Sequence, residues 1–309
     1  MTNTSPRLVL GTRGSPLALA QANEVWRLLR AALALSEDGV VIQTIKTSGD
    51  AIVDRALAEA GGKGLFTKEL DTALIAGDID LAVHSAKDMP TVLPHEIVIA
   101  GYLEREDVRD VFVSACAQSI AALPAGASIG SASLRRQAQV RRLRPDLSVA
   151  LLRGNVGTRL DKVMRGEVDA TLLALAGLKR LGMAERATAI LDTDVILPAV
   201  GQGAIAIVAC ADDTATRDAL LKVTHPETGV AVTAERAFLA VLDGSCRTPI
   251  AGLATVDGGT LSFRGLVLAP DGSDAVEVKR QGPLGDAAAI GADAAREIVA
   301  RARPSLFGH

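Results

Sequence analysis

The chain is poor in aromatic residues: one tryptophan, one tyrosine and five phenylalanines make up 2% of 309 residues. That scarcity excludes the stacking platforms on which single-stranded nucleic acids are read. Charge of one sign is equally lacking, with 33 Lys and Arg against 36 Asp and Glu and a net charge of −3. No global field is available to recruit nucleic acid or an anionic membrane. The four histidines (His84, His95, His225, His309) are scattered, and the three cysteines (Cys116, Cys210, Cys246) lack metal-ligand spacing. No metal is therefore expected. No apolar run reaches membrane-spanning length, and Met1 to Pro6 lacks the basic–apolar–small order of a secretion signal. These absences predict a soluble, reduced, cytoplasmic protein without nucleic-acid or membrane partners.

What is present is apolar mass and arginine. The length favours two or three domains, and 49% hydrophobic residues are ample for their cores. Of the 33 cations 8 are lysines, leaving 25 arginines. The planar arginine fork grips carboxylate or phosphate bidentately and keeps its charge. Composition alone does not separate that use from a general Ala-rich, Arg-rich bias, so position must decide.

Arg7 to Leu10 reads as a strand ending at Gly11, and Ser15 as an N-cap with Pro16 at the first helical position. Val25, Leu28, Leu29, Ala32 and Leu33 then recur at helical spacing. A second strand spans Val40 to Ile45, followed by a turn at Thr47-Ser48-Gly49-Asp50. Gly61-Gly62-Lys63-Gly64 predicts a mobile loop. A helix from about Thr67 to Ala76, capped by Gly77, leads into a strand at Ile79 to His84.

Two of these patterns recur. Gly77-Asp78-Ile79-Asp80-Leu81-Ala82-Val83 is echoed by Gly166-Glu167-Val168-Asp169-Ala170-Thr171-Leu172. Leu10-Gly11-Thr12-Arg13-Gly14-Ser15 is echoed by Ile129-Gly130-Ser131-Ala132-Ser133, with Leu134-Arg135-Arg136 following. The simplest reading is two similar α/β domains, each presenting a helix N-terminus that attracts anions, with a cleft between them. Leu197 to Gly203 reads as a crossover back to the first domain. From about Thr224 a small α/β unit begins, with a helix at Ala231 to Leu242, strands at Thr260 to Leu268 and Ala275 to Gln281, and a helix near Ala287 to Arg301.

Three groups of residues could carry chemistry. Cys246, in the loop Gly-Ser-Cys-Arg-Thr-Pro beside Arg247, is a reachable thiol; Cys116 and Cys210 follow apolar runs and read as packed. Lys87 and Asp88 stand beyond the carboxyl end of a strand, where open α/β sheets bind ligands. A carboxylate there could stabilise a developing cation. The same residues also read as an ordinary helix start with Ser85 and Asp88 as a capping pair, and spacing leaves both open. Arg135, Arg136, Arg153, Arg159 and Arg180 form the third group. Arginine at a helix start opposes the helix dipole, so an anionic ligand explains Arg135 and Arg159 better than local stability does; for Arg136 and Arg180 solvated surface pairing stays open.

Long stretches now resemble the porphobilinogen deaminase family: 11–19 (Gly-Thr-Arg-Gly-Ser-Pro-Leu-Ala-Leu), 61–66 (Gly-Gly-Lys-Gly-Leu-Phe), 83–88 (Val-His-Ser-Ala-Lys-Asp), 133–137 (Ser-Leu-Arg-Arg-Gln), 152–159 (Leu-Arg-Gly-Asn-Val-Gly-Thr-Arg), 176–182 and 198–203. They run in order from about residue 7 to 270. The resemblance implies an α/β fold of three domains. Two are like type II periplasmic binding proteins (1–103 with 204–221, and 104–203), with a cleft between them, and a small C-terminal α+β domain (222–309) carries the cysteine. It also implies head-to-tail condensation of four porphobilinogen molecules into hydroxymethylbilane, with loss of ammonia at each addition. A dipyrromethane cofactor, thioether-linked to Cys246, primes the chain.

By the same resemblance Ser85, Lys87, Asp88, Ser131, Ser133, Arg135 and Arg136 would bind the cofactor, and Asp88 with Lys87 would serve catalysis. Arg13, Ser15, Gln21, Phe66, Arg153, Arg159, Arg180 and Gln202 would handle the substrate, under a lid at Gly61, Gly62, Lys63 and Gly64. Glu59, Ser131 and Ser245 stand where the family commonly has lysine, threonine and glycine. A monomer is implied, handing its product to the next enzyme of tetrapyrrole synthesis. The rival reading is a binding or sensor protein for a carboxylate-rich small molecule on the same paired-domain cleft.

Overall fold

The structure, a computed structural model, describes residues 7–51, 64–242, 248–303 and 306, with positions 50 and 51 described in backbone only. The chain opens with β1 (Leu8–Arg13), α1 (Pro16–Leu33), β2 (Val40–Ile45), α2 (Ser48–Ala51), α3 (Lys68–Ala76), β3 (Leu81–Ser85) and β4 (Ile97–Tyr102). A second stretch holds β5 (Asp110–Ser114), β6 (Ser128–Gly130), α4 (Leu134–Leu143), β7 (Ser148–Ala150), α5 (Val156–Met164), β8 (Ala170–Ala174), α6 (Leu175–Arg180) and β9 (Ala189–Ile190). Then come β10 (Ile205–Cys210), α7 (Thr214–Leu221) and α8 (Pro226–Val241), and finally β11 (Ile250–Asp257), β12 (Thr260–Leu268), β13 (Ala275–Pro283) and α9 (Ala287–Arg301). The described residues form two compact units, 7–51 with 64–106 and 204–229, and 107–203 with 230 onward.

Each unit holds a five-stranded sheet of the same design. The orders are β2-β1-β3-β10-β4 and β7-β6-β8-β5-β9. In both, the second strand pairs in parallel with its two neighbours, and the fourth strand is antiparallel to both of its own. The echoed sequences make the same clasp in each. Asp80 N–H donates to Val9 O (2.9 Å) and Val9 N–H to Asp80 Oδ2 (2.6 Å). Asp169 N–H donates to Ser128 O (3.0 Å) and Ser128 N–H to Asp169 Oδ2 (2.7 Å). A short acidic side chain at the entry to the central strand thus fixes its register on the opening strand, which is why the Gly-acidic-aliphatic-Asp pattern appears twice.

The helices follow from their caps and faces. Ser15 accepts a hydrogen bond from Ala18 N–H, Pro16 starts α1, and Ala34 ends it in the left-handed region at φ 51°. The buried face of α1 is Ala18, Gln21, Ala22, Val25 and Leu29, at spacings of three and four. Ala22, Val25 and Leu29 share a core with Leu10, Leu81, Val83, Ile205 and Ile207 of the sheet. Burying each large aliphatic side chain there contributes about 1.5–3 kcal/mol. The polar member of the face, Gln21, belongs to the site.

The C-terminal part is a small α+β layer: the antiparallel sheet β11-β12-β13 with α9 packed against β12 and β13. Phe238 and Phe263 meet in its core with ring centroids 5.0 Å apart. Within its unit this layer is tied to the stretch before β10: Gly252 N–H donates to Pro198 O (3.1 Å). The expected fold class, two matching α/β sheets and a small α+β part, is the one observed. One local expectation differs: the turn at 47–50 is a short helix, α2. Several strands, β4 and β11 among them, were not foreseen. Residues 250–254 of β11 are all buried, so the strand lacks the alternation that marks a half-exposed one.

Candidate active site

In the first unit the carboxyl ends of β1 and β3 and the start of α1 enclose an open pocket. It is lined by Arg13, Ser15, Leu17, Ala18, Gln21, Phe66, Val83, His84, Ser85 and Asp88 and holds about 370 Å³ of empty space, its mouth included. Gln21 is buried and locked to Ser85, Nε2 to Oγ at 2.9 Å and Oγ to Oε1 at 3.1 Å. Ser85 therefore does not cap the short helical turn Ala86–Asp88, and the capping-pair reading of Ser85 and Asp88 is corrected. Its hydroxyl is already taken by Gln21.

Arg13 and Phe66 form a unit within this pocket. The Arg13 guanidinium carbon sits 4.1 Å from the Phe66 ring centroid, a cation–π contact that orients the fork. Gly49 N–H donates to Leu65 O (2.8 Å), and a Cβ at position 49 would come within 2.4 Å of the Phe66 ring. Only glycine lets the ring lie there. Asp88 is exposed on its turn beside Lys87, which is exposed as well.

His84 was not singled out by motif or spacing. It is buried, its Nε2 has no hydrogen-bond partner, and burial followed by the charge of Arg13 pushes its pKa down to about 4. The ring is neutral at pH 7, and the charge it feels is that of Arg13. Because the folded pKa lies below the unfolded value near 6.5, the unfolded state takes up the proton first. Stability is full above that value and declines as pH falls from 6.5 towards 4. Between pH 7 and pH 5 the unfolding free energy is expected to drop by roughly 2 kcal/mol from this group. Urea titrations of wild type and His84→Asn at both pH values check this; an equal drop in the two proteins refutes it.

In the second unit the arginines gather on one carboxylate. Arg135 and Arg136 occupy the first turn of α4, and both are buried. Arg135 Nη2 lies 2.8 Å from Asp110 Oδ2, and Arg136 Nη2 donates to Asp110 Oδ1 at 2.8 Å. Asp110 is fully buried at the start of β5. Burial pushes its carboxyl up, but Arg135, Arg136 and the Gln202 amide outweigh this and hold it well below the usual carboxylate range. Arg135 also donates from Nη1 to Leu197 O (2.7 Å), a carbonyl shared with Gln139 Nε2 (3.0 Å). Among the described residues, two guanidiniums on one carboxylate leave one positive charge uncompensated, and the Nε of both arginines is buried without a partner.

Gln202, expected to meet substrate, is buried behind this cluster, with Nε2 on Val108 O (2.7 Å) and Asp110 Oδ1 (2.8 Å). Ser131 Oγ accepts from Ser133 N–H (3.1 Å) in the turn before α4, and the Ser133 side chain makes no cap bond. Arg153 keeps a buried Nη1 without a partner. Arg159 lies in the first turn of α5, whose cap is Asn155 accepting from Thr158 N–H. Arg180 Nη2 donates to Gly203 O at 3.0 Å.

Counted from their N-cap serines, the two opening helices correspond. Gln21 and Gln139 are each six residues on, and Leu17 and Ala18, which line the open pocket, match Arg135 and Arg136. One fold is thus used twice with opposite furnishing: a pocket in one copy, a buried cationic cluster in the other.

Gly61, Gly62, Lys63 and Cys246 lie outside the described residues; Gly64 is described, at φ 87°. Cys116 is exposed, not packed, because it follows β5 in a surface turn beside the Ser114 hydroxyl (3.4 Å). Among the described residues, no cluster of three His, Cys, Asp or Glu could hold a metal ion, and no helix is long and apolar enough to cross a membrane.

Two family models cover most of the chain: "Porphobilinogen deaminase, dipyromethane cofactor binding domain" matches residues 8–218, and "Porphobilinogen deaminase, C-terminal domain" matches residues 230–300. The chain belongs to the porphobilinogen deaminase family. Porphobilinogen deaminase of Nitrobacter hamburgensis is 58% identical over 96% of this chain and 94% of that protein. Its counterpart from Paracoccus denitrificans is 53% identical over 96% of this chain and 95% of that protein. Among solved structures, the periplasmic VFT2 domain of Bordetella pertussis BvgS overlays with a TM-score of 0.40 at 16% identity, covering 71% of this chain and 86% of that domain, too loosely to bear on the assignment.

The residues present fit the dipyrromethane cofactor of the porphobilinogen deaminase family. A buried cluster carrying one uncompensated positive charge calls for an anion, and pyrrole side-chain carboxylates supply that charge. Family membership also favours the enzymatic reading over a carboxylate-binding sensor.

Proposed function

We propose that this chain is the transferase that condenses four porphobilinogen molecules head to tail into hydroxymethylbilane. The observation that carries the proposal is the pocket of the first unit. It gathers Arg13, Ser15, Gln21, Phe66, Ser85 and Asp88 from separate stretches of sequence into one recess. Arg13, steadied on Phe66, pairs with a substrate carboxylate. Ser15 offers a hydroxyl at the helix start, and Gln21 holds Ser85 in place. Asp88 faces the pyrrole N–H and the positive charge that develops as ammonia leaves. Each addition forms one carbon–carbon bond, expels one ammonia and removes one ring proton.

The remaining roles follow the charges. Arg135 and Arg136, with Ser85, Lys87, Ser131 and Ser133, hold the carboxylates of the dipyrromethane, which supplies the free pyrrole position where growth begins. Cys246 carries its thioether. Arg153, Arg159 and Arg180 accept the carboxylates of the lengthening chain, and Gln202 acts from behind through Asp110. The loop 61–64 serves as a lid. The chain works as a cytoplasmic monomer of three domains (1–103 with 204–221, 104–203 and 222–309) and passes its product to the next enzyme of tetrapyrrole synthesis.

The test is stoichiometry. Purified protein given porphobilinogen is expected to release one ammonia per molecule consumed and one tetrapyrrole per four. Saturable binding of porphobilinogen without ammonia release would overturn the enzymatic reading.

A further inference from the structure

A buried carboxylate between two arginines invites the question of what it adds, because the same fold elsewhere in this chain does without it. In the second sheet Asp110 opens β5 opposite Ala174, the last residue of β8. In the first sheet the corresponding residue is Ile205, which opens β10 opposite Ser85, the last residue of β3. Isoleucine satisfies the packing of that site. A fully buried carboxylate is costly to desolvate, and here the two guanidiniums it pairs with offset that cost.

The partners are the two guanidiniums. Asp110 uses both oxygens: Oδ2 lies against Arg135, while Oδ1 takes Arg136 and the Gln202 amide. Gln202 is itself anchored on Val108 O at 2.7 Å, and Arg135 on Leu197 O at 2.7 Å. Gln139 grips Leu197 from both sides, its Oε1 accepting from Leu197 N–H at 2.8 Å and its Nε2 donating to Leu197 O at 3.0 Å. The carboxylate's partners are therefore tied to the backbone, and it meets each guanidinium at one Nη group. The balance is two positive charges against one negative.

The geometry points to Asp110 as the positioning residue of the cofactor site, fixing the forks of Arg135 and Arg136 and trimming their joint charge to what a single ligand carboxylate neutralises. This rests on the reading that Arg135 and Arg136 bind pyrrole carboxylates. Asp110 acts through the arginines and is not a ligand itself. Without it, two like charges would share one buried site, and their orientation would be set by mutual repulsion.

The experiment compares wild type, Asp110→Asn, Asp110→Glu and Arg136→Gln as full chains. The folded fraction is isolated by size exclusion and circular dichroism, and covalent pyrrole is then read by intact mass. Folded Asp110→Asn is expected to carry at least tenfold less covalent pyrrole than wild type. Folded Asp110→Glu, which keeps the charge but moves it by one methylene, is expected to be at least threefold down. A purely structural Asp110 would lower the unfolding midpoint and leave the loading of the folded protein at the wild-type level. Full loading in folded Asp110→Asn overturns the proposal. If the Asn variant does not fold, full loading in Asp110→Glu does so. Full loading in Arg136→Gln overturns the reading beneath it instead, so the two failures are told apart.

Discussion

Asp88→Asn is expected to lower kcat by about 10²- to 10³-fold while the protein folds normally and keeps its covalent pyrroles. The magnitude is that of removing one preorganised group from charge developing in a transition state. The argument for an intact fold is local. Asp88 is exposed on the short turn after β3, and the neighbouring Ser85 hydroxyl is engaged with Gln21 rather than with a cap at Asp88. Exposed substitutions away from such features usually shift stability by no more than about 0.5 kcal/mol. Asparagine keeps the shape and loses the charge. If the carboxylate acts on charge that appears only as ammonia departs, kcat falls and KM moves little. Steady-state kinetics with intact mass on the same sample check both halves. A near-normal kcat removes Asp88 from the chemistry; a lost mass excess would make it a cofactor-assembly residue.

Much of this architecture was legible because it is local and repeated. Ser15 and Pro16 announce α1, and Gly77 ends α3 at φ 75°. The Asp80 and Asp169 patterns mark equivalent clasps that a reader of the sequence meets as an unexplained echo. The pocket residues Arg13, Gln21, Phe66, Ser85 and Asp88 follow from the family resemblance, and the fold brings them together.

The rest was hidden because it depends on pairing across sequence. Asp110 meets Arg136 over a separation of 26 residues and Gln202 over 92, and no periodicity records either contact. One signal was available: an acidic residue heading the wholly apolar run Val111 to Val113 has to find a cation or remain a buried, unpaired charge. His84 gave less warning, since a lone histidine in an apolar strand is ordinarily a core residue. Its meaning comes from burial beside Arg13. Cys116 was misread for a related reason: the apolar run before it ends at Val113, two residues before the turn that exposes the thiol.

Intact mass of the wild type is expected to exceed the polypeptide by two linked pyrrole units, and Cys246→Ser is expected to show the polypeptide mass alone. Cys246 lies outside the described residues, so the assignment stands on the family resemblance, and the placement of the other two thiols supports it. Cys210 closes β10, where its Sγ donates to Leu74 O at 3.2 Å. Burial, then the nearby Asp212, Asp213 and Asp80, push its pKa up. A thiol so placed is a poor nucleophile, because the thiolate is the attacking form. Cys116 is reachable, but its sulfur rests against Ser114 Oγ and the Asp169 carbonyl in the turn after β5. In the sequence Cys246 stands in Gly-Ser-Cys-Arg-Thr-Pro, directly before Arg247. The controls are therefore specific: Cys116→Ser and Cys210→Ser should keep the full mass excess and their turnover, and Cys246→Ser should lose both. An excess that survives in Cys246→Ser but vanishes in Cys116→Ser would move the anchor to the surface turn after β5, on the same unit as the arginine cluster, and the route from thioether to arginines would have to be redrawn from there.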